Sequence, residues 1–106
     1  MIRIIWSTIA AQDLDDIVSW ILDNYSTQQA ESFVNTIDAE VQQLLHQPQS
    51  GRVIPELERQ NITKYRELVL PPWRLFYTID SDQVLIHAVI DGRRNIEDVL
   101  LRRNIR

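Results

Sequence analysis

Apolar residues recur at helical spacing through the first half of the chain and at alternate positions through the second. Met1 to Trp6 is a short run of β-branched and aromatic residues that predicts a strand. Ser7 or Thr8 can then cap a helix whose inward stripe is Ala10, Leu14, Ile17, Val18 and Ile21. Asp13, Asp15 and Asp16 fall near its start, where the helix dipole favours anions, and are expected on its outer side as solvated carboxylates rather than as metal ligands or acid catalysts. Asn24 and Tyr25 interrupt the pattern, and Ser26 with Gln29 three residues on fits a capping box for a second helix. That helix carries Ala30, Phe33, Val34, Ile37, Val41, Leu44 and Leu45 on one face and ends at Pro48 to Gly51. Two helices joined by so short a turn predict an antiparallel hairpin with one apolar face to cover.

The period then changes from 3.6 to 2. Tyr65 to Leu70 alternates as a strand, Pro71-Pro72 forces a turn, and Trp73 to Ile79 forms a second strand. Asp80-Ser81-Asp82 marks a hairpin, and Val84 to Ile90 is almost uniformly apolar, as a strand covered on both faces would be. Arg52-Val53-Ile54 can add an edge piece. Asp91-Gly92 closes the last strand, after which Asn95 can cap a short helix with Ile96, Val99 and Leu100 on one side and Arg102, Arg103 and Arg106 near its end. The expected fold class is α+β: an N-terminal strand, an antiparallel helical hairpin packed on a small twisted, mainly antiparallel sheet, and a short C-terminal helix, with the sheet's other face or edge left to a partner. No repeat, low-complexity tract or long linker divides residues 1–106, so one domain is expected.

Composition narrows the function classes. The 106 residues are 44% hydrophobic and 25% charged, ordinary for a globular domain with a core of its own. Without cysteine there is no thiolate catalysis, zinc ribbon or disulfide scaffold. No apolar run approaches a membrane span and the N-terminus lacks a signal-peptide pattern, so a soluble, cytoplasmic protein is expected. The net charge of −4 argues against a general nucleic-acid coating protein. It conceals a division, because residues 1–50 carry seven acids against Arg3 alone whereas residues 51–106 carry ten bases against eight acids. The late positive charge is almost all arginine, the cation suited to forked contacts with carboxylate or phosphate.

With only Gly51 and Gly92 the chain has no phosphate-cradling loop, and no Gly-x-Ser-x-Gly nucleophile motif is present. His46 and His87 lie in unrelated elements, too few for a zinc site; no metal or cofactor is expected. His87 fits a packed strand histidine better than a proton-transfer group. Arg66, Arg74 and the Arg93-Arg94 pair stand on or beside adjacent strands. They can either form separate salt bridges to Glu56, Glu67, Asp80 or Asp91, or converge on an anion-facing groove. Trp73 beside Arg74 can anchor a strand end or contact a partner.

Four stretches carry a resemblance that spans nearly the whole chain. They are Ile5-Trp6-Ser7 leading to Ala10, Asp13-Leu14 and Ile17; Pro48-x-x-Gly51-Arg52 with Pro55-Glu56-Leu57; Tyr65-Arg66-Glu67-Leu68-Val69 through Trp73-Arg74-Leu75-Phe76-Tyr77; and Val89-Ile90-Asp91-Gly92-Arg93-Arg94. In this order and at this length they resemble the RelE/ParE superfamily of bacterial toxins from toxin–antitoxin and plasmid-stabilisation systems. The resemblance implies a toxin neutralised by a cognate antitoxin whose acidic or amphipathic tail wraps it in a hetero-oligomer.

One class of that superfamily cleaves mRNA on the ribosome without metal, and Arg74 and Arg94 match two of its arginines, with Glu56 a loose match to an acidic residue. The lysine pair is missing, Tyr65, Arg66 and Glu67 standing there instead, and Leu100 occupies the place of a catalytic tyrosine. Two arginines can bind phosphate but transfer few protons. The other class, the ParE type, poisons DNA gyrase by protein contact, and it is the first expectation here. Its target or antitoxin contacts are expected among Arg66, Trp73, Arg74, Arg93, Arg94, Arg102 and Arg103, with no catalytic residue. The segment from Arg93 to Arg106 is the expected gyrase contact, so that deleting residues 95–106 should abolish toxicity and leave the remainder folded. The ribosome-dependent ribonuclease is the alternative; a non-toxic binding partner is the second.

Overall fold

The computed structural model describes residues 1–106. β1 (Arg3–Trp6) leads through the Ser7 cap into α1 (Thr8–Asn24), and the Ser26 cap starts α2 (Thr27–Gln43). Both cap hydroxyls accept a backbone N–H three residues on, from Ala10 and Gln29. After a two-residue edge strand β2 (Arg52–Val53) comes a helical turn α3 (Pro55–Glu58), then β3 (Tyr65–Leu70), β4 (Trp73–Asp80), β5 (Gln83–Asp91) and α4 (Ile96–Arg102), the last capped by Asn95. The sheet order is β1-β5-β4-β3-β2, with only the β1–β5 pair parallel. Phe76 pairs with Ala88 and Tyr77 with Ile86, so His87 is an extra residue bulging from β5.

The sheet is buried on both faces. The helical hairpin covers one, packing Ala10, Ile17, Ile21, Ile37, Val41 and Leu44 on Leu75, Tyr77, Val84, Ile86 and Val89. On the other, Ile54 and Leu57 from around α3 and Ile96, Val99, Leu100 and Ile105 from the C-terminal segment meet Tyr65, Phe76, Ala88 and Ile90. This corrects the expectation that the second face awaits a partner: the C-terminal segment closes it, because a seven-residue helix with three buried aliphatics has nowhere else to put them. α3 was not expected; Pro55 at its first position fixes a helical φ at no hydrogen-bond cost. Val34, assigned to the inward stripe of α2, is 39% exposed.

Asp13 is not on the outer side of α1. β1 ends its pairing at Ile86, which leaves the outer edge of β5 open, and the Asp13 carboxylate there accepts the Val89 N–H at 3.0 Å. Arg103, at the end of α4, donates to both carboxylate oxygens at 2.7 and 2.8 Å. One carboxylate thus ties α1, β5 and α4 together, and replacing it leaves an N–H and a largely buried guanidinium without an acceptor. Asp13→Ala is expected to lower stability by about 2–3 kcal/mol, measured by urea unfolding.

A second tie holds the loop before β2. The Tyr77 hydroxyl donates to the Pro48 carbonyl at 2.7 Å and accepts the Gly51 N–H at 2.9 Å, while burial pushes the phenol's pKa up. Gly51 is required by space: a Cβ there would lie 2.5 Å from the Tyr77 oxygen and 2.6 Å from the Glu67 carbonyl.

Candidate interaction site

The arginines do not converge on an anion groove. Arg74, on β4, lies diagonally across from Glu67 on β3, and Arg52 on β2 lies directly opposite Glu67, so the pleat aims both guanidinium groups at one carboxylate. Glu67 has a fully buried side chain, takes a 2.8 Å bond from Arg52, and is gripped by two nitrogens of Arg74. α3 brings Glu56 to the far edge of the same guanidinium, at 2.8 and 2.9 Å. Arg74 also lies over the Phe76 ring. Its two carboxylate partners hold its pKa further above an ordinary arginine's, and Arg74 in turn holds the Glu56 carboxyl below the usual range.

Two carboxylates against two guanidiniums make this cluster neutral, and most N–H groups of Arg74 already have acceptors. It ties β2, β3, β4 and α3 together within the fold. His87 cannot complete an acid–base pair with it. The ring hydrogen-bonds Thr78, four residues along β4 from Arg74 and so about 13 Å away. It stacks edge-on against Tyr65, and burial, followed by the charge of Lys64, lowers its pKa.

The Glu56 shift fixes a pH dependence. A carboxyl whose pKa is lower in the folded protein contributes stability that is complete above its unfolded value near 4.5 and is lost as pH falls through the folded value. His87, also depressed on folding, acts in the same direction below 6.5. The urea midpoint is expected to fall from neutral pH into the acid range, and Glu56→Gln is expected to flatten that fall below pH 4.5.

The remaining candidates are scattered. Arg66 donates to the carbonyls of Gly51 and Gln49 at the β2 edge. Arg93 grips Asp91 two residues back, lowering that carboxyl's pKa, and Arg102 pairs with Asp98 one helical turn earlier. Arg103 is held by Asp13. Arg94 is exposed and makes no salt bridge.

Trp73 and Arg93 line one groove. Trp73 sits at the start of β4, half-buried, with the Phe33 ring 5.8 Å away and the Trp20 ring 6.5 Å away, both edge-on. Tyr25 extends the group, 5.5 Å from Trp20. These rings, Pro72 and Arg93 line a groove of about 270 Å³ between the hairpin and the β3–β4 turn. Trp20 is 46% and Tyr25 61% exposed, which is uncommon for rings of their size. Sequence reasoning missed both as site residues. Trp20 stands three after Ile17, at the flank of the stripe, and Tyr25 follows the last turn of α1; neither position marks a groove until β4 is placed beside it. No group of three or more His, Asp and Glu side chains is arranged to hold a metal ion, and no helix is long and apolar enough to cross a membrane.

The architecture is shared with a toxin–antitoxin protein. A chain of the chromosomal ParDE toxin–antitoxin system from P. aeruginosa superposes with a TM-score of 0.70 over 86% of this chain and 96% of that one, at 21% identity. The sequence places the protein more narrowly: residues 4–96 match the model of the ParE toxin of the type II toxin–antitoxin system parDE, and the chain belongs to that family. It is similar to Toxin ParE3 of Caulobacter vibrioides, 26% identical over 94 residues that cover 89% of this chain and 90% of the relative.

Proposed function

We propose that the protein arrests growth by binding DNA gyrase and stabilising its cleaved-DNA state, and that a cognate antitoxin with an acidic, amphipathic tail neutralises it. The observation that carries this reading is the engagement of Arg74 by Glu56 and Glu67. Of the two residues that match ribonuclease arginines, Arg74 is bound within the fold and has no free acid–base partner beside it. A toxin without that chemistry acts by contact, and the exposed cations of the C-terminal segment, Arg94, Arg102 and Arg106, supply a surface for it. The aromatic groove beside Arg93 suits the antitoxin, its rings taking apolar side chains and its guanidinium steering acidic ones.

Two measurements test this. After induction, thymidine incorporation is expected to fall before leucine incorporation; the reverse order supports ribosome-dependent mRNA cleavage, and unaffected growth supports a non-toxic partner. Trp20→Ser with Tyr25→Ser is expected to weaken antitoxin binding by about tenfold or more, the equivalent of roughly 1.4 kcal/mol. The fold should persist because neither residue belongs to a buried core cluster.

A further inference from the structure

The hairpin carries a second apolar groove that neither the aromatic cluster nor the C-terminal cations use. It runs between α1 and α2 on the outward side, encloses about 490 Å³, and is floored by Val18, Leu22, Ala30 and Val34. Leu22 is 47% and Val34 39% exposed. Trp20 is two residues from both Val18 and Leu22, on the opposite side of α1, so the groove is separate from the one at Trp73. Past Val34 and Asn35 it continues into a depression of about 360 Å³ against Trp6 and Leu14.

Its rim has one sign of charge. The hairpin from Thr8 to Gln43 contains no lysine or arginine and seven acidic residues, of which only Asp13 has a cationic partner. The acids flank the groove at helical spacing: Asp15, Val18 and Leu22 stand at i, i+3 and i+7 on α1, and Glu31, Val34 and Asp38 at the same intervals on α2. An apolar floor bordered by three unneutralised carboxylates, Asp15 on α1 and Glu31 and Asp38 on α2, selects its occupant. An anionic membrane or acidic peptide would be repelled, and a neutral apolar one would leave the carboxylates facing each other across it. From the interhelical turn to Gln42 the groove follows α2 for roughly 22 Å, the length of about 15 helical residues.

We infer that this groove is a docking site for a cationic amphipathic helix of a partner protein, whose apolar stripe meets Leu22 and Val34 and whose lysines or arginines meet Asp15, Glu31 and Asp38. Such an occupant fits helix-in-groove recognition with charge steering on both flanks.

The test uses the full chain and two fluorescent amphipathic peptides of about 18 residues, identical in their leucine stripe, with lysine on the polar face of one and glutamate on that of the other. By anisotropy the lysine peptide is expected to bind at least about tenfold tighter than the glutamate peptide, more weakly as salt rises. Leu22→Ser with Val34→Ser is expected to weaken it by about tenfold or more. Glu31→Lys with Asp38→Lys, which touches no core residue, is expected to do the same and serves if the first variant misfolds. Equal binding of both peptides, or lysine-peptide affinity unchanged in the variants, would overturn the inference. So would sedimentation showing that the chain dimerises through this groove and loses the dimer in Leu22→Ser with Val34→Ser, because the occupant would then be a second copy.

Discussion

Removal of residues 95–106 is expected to yield a chain that does not fold, rather than a folded and non-toxic one. Those residues contribute Ile96, Val99, Leu100 and Ile105 to the cluster on the sheet's second face, each no more than 8% exposed. Loss of a buried aliphatic side chain costs about 2–5 kcal/mol, and several together match the roughly 5–15 kcal/mol that holds a domain of this size. The deletion also strands Asp13 by removing Arg103 and leaves Phe76 and Ile90 facing water. Circular dichroism and urea unfolding of the truncated chain check this; a cooperative transition near that of the full chain would contradict it. Loss of toxicity on truncation therefore says nothing about gyrase. Arg94→Ala with Arg102→Ala and Arg106→Ala isolates the contact, since these side chains are exposed and only Arg102 is paired, with Asp98 in its own helix.

Arg74→Met is the second large effect, a destabilisation of about 3–5 kcal/mol. The methionine keeps most of the side-chain volume, so the loss is electrostatic. Glu67, with no solvent exposure, would retain a single partner in Arg52, whose own side chain is 59% exposed. Glu56 would lose its only salt bridge. Replacing Glu67 and Arg74 together, by Leu and Met, is expected to recover a substantial part of the loss, because an apolar pair of similar size owes no desolvation. If Arg74 served instead to hold a scissile phosphate, Arg74→Met would remove activity and leave the urea midpoint unmoved.

The elements were legible where periodicity, caps and turns agree. Ser7, Ser26 and Asn95 cap the helices they were assigned to, and Pro71-Pro72 and Asp80-Ser81-Asp82 turn the chain where expected. The coverage of the second sheet face was less so, since a seven-residue helix reads as a tail until the apolar strand residues opposite it are counted. Asp13 illustrates the same gap: near a helix start it looks like a dipole partner, and only the sheet register shows an open N–H on β5 within its reach. For the arginines, sequence spacing left separate pairs and a shared groove equally open. The pleat decides, because Glu67 stands opposite Arg52 and diagonal to Arg74, an arrangement that depends on strand pairing. Trp20 and Tyr25 escaped because exposure of an aromatic ring is a property of the packed surface.

The central claim, that this ParE-family protein acts by contact with gyrase, is tested most directly with purified toxin and gyrase, scoring supercoiling and cleaved DNA in the same reaction. The account predicts loss of supercoiling with accumulation of cleaved DNA, reversed by antitoxin and absent with heat-denatured toxin. Unchanged supercoiling and no cleaved DNA, from a folded toxin that still arrests growth, would contradict it.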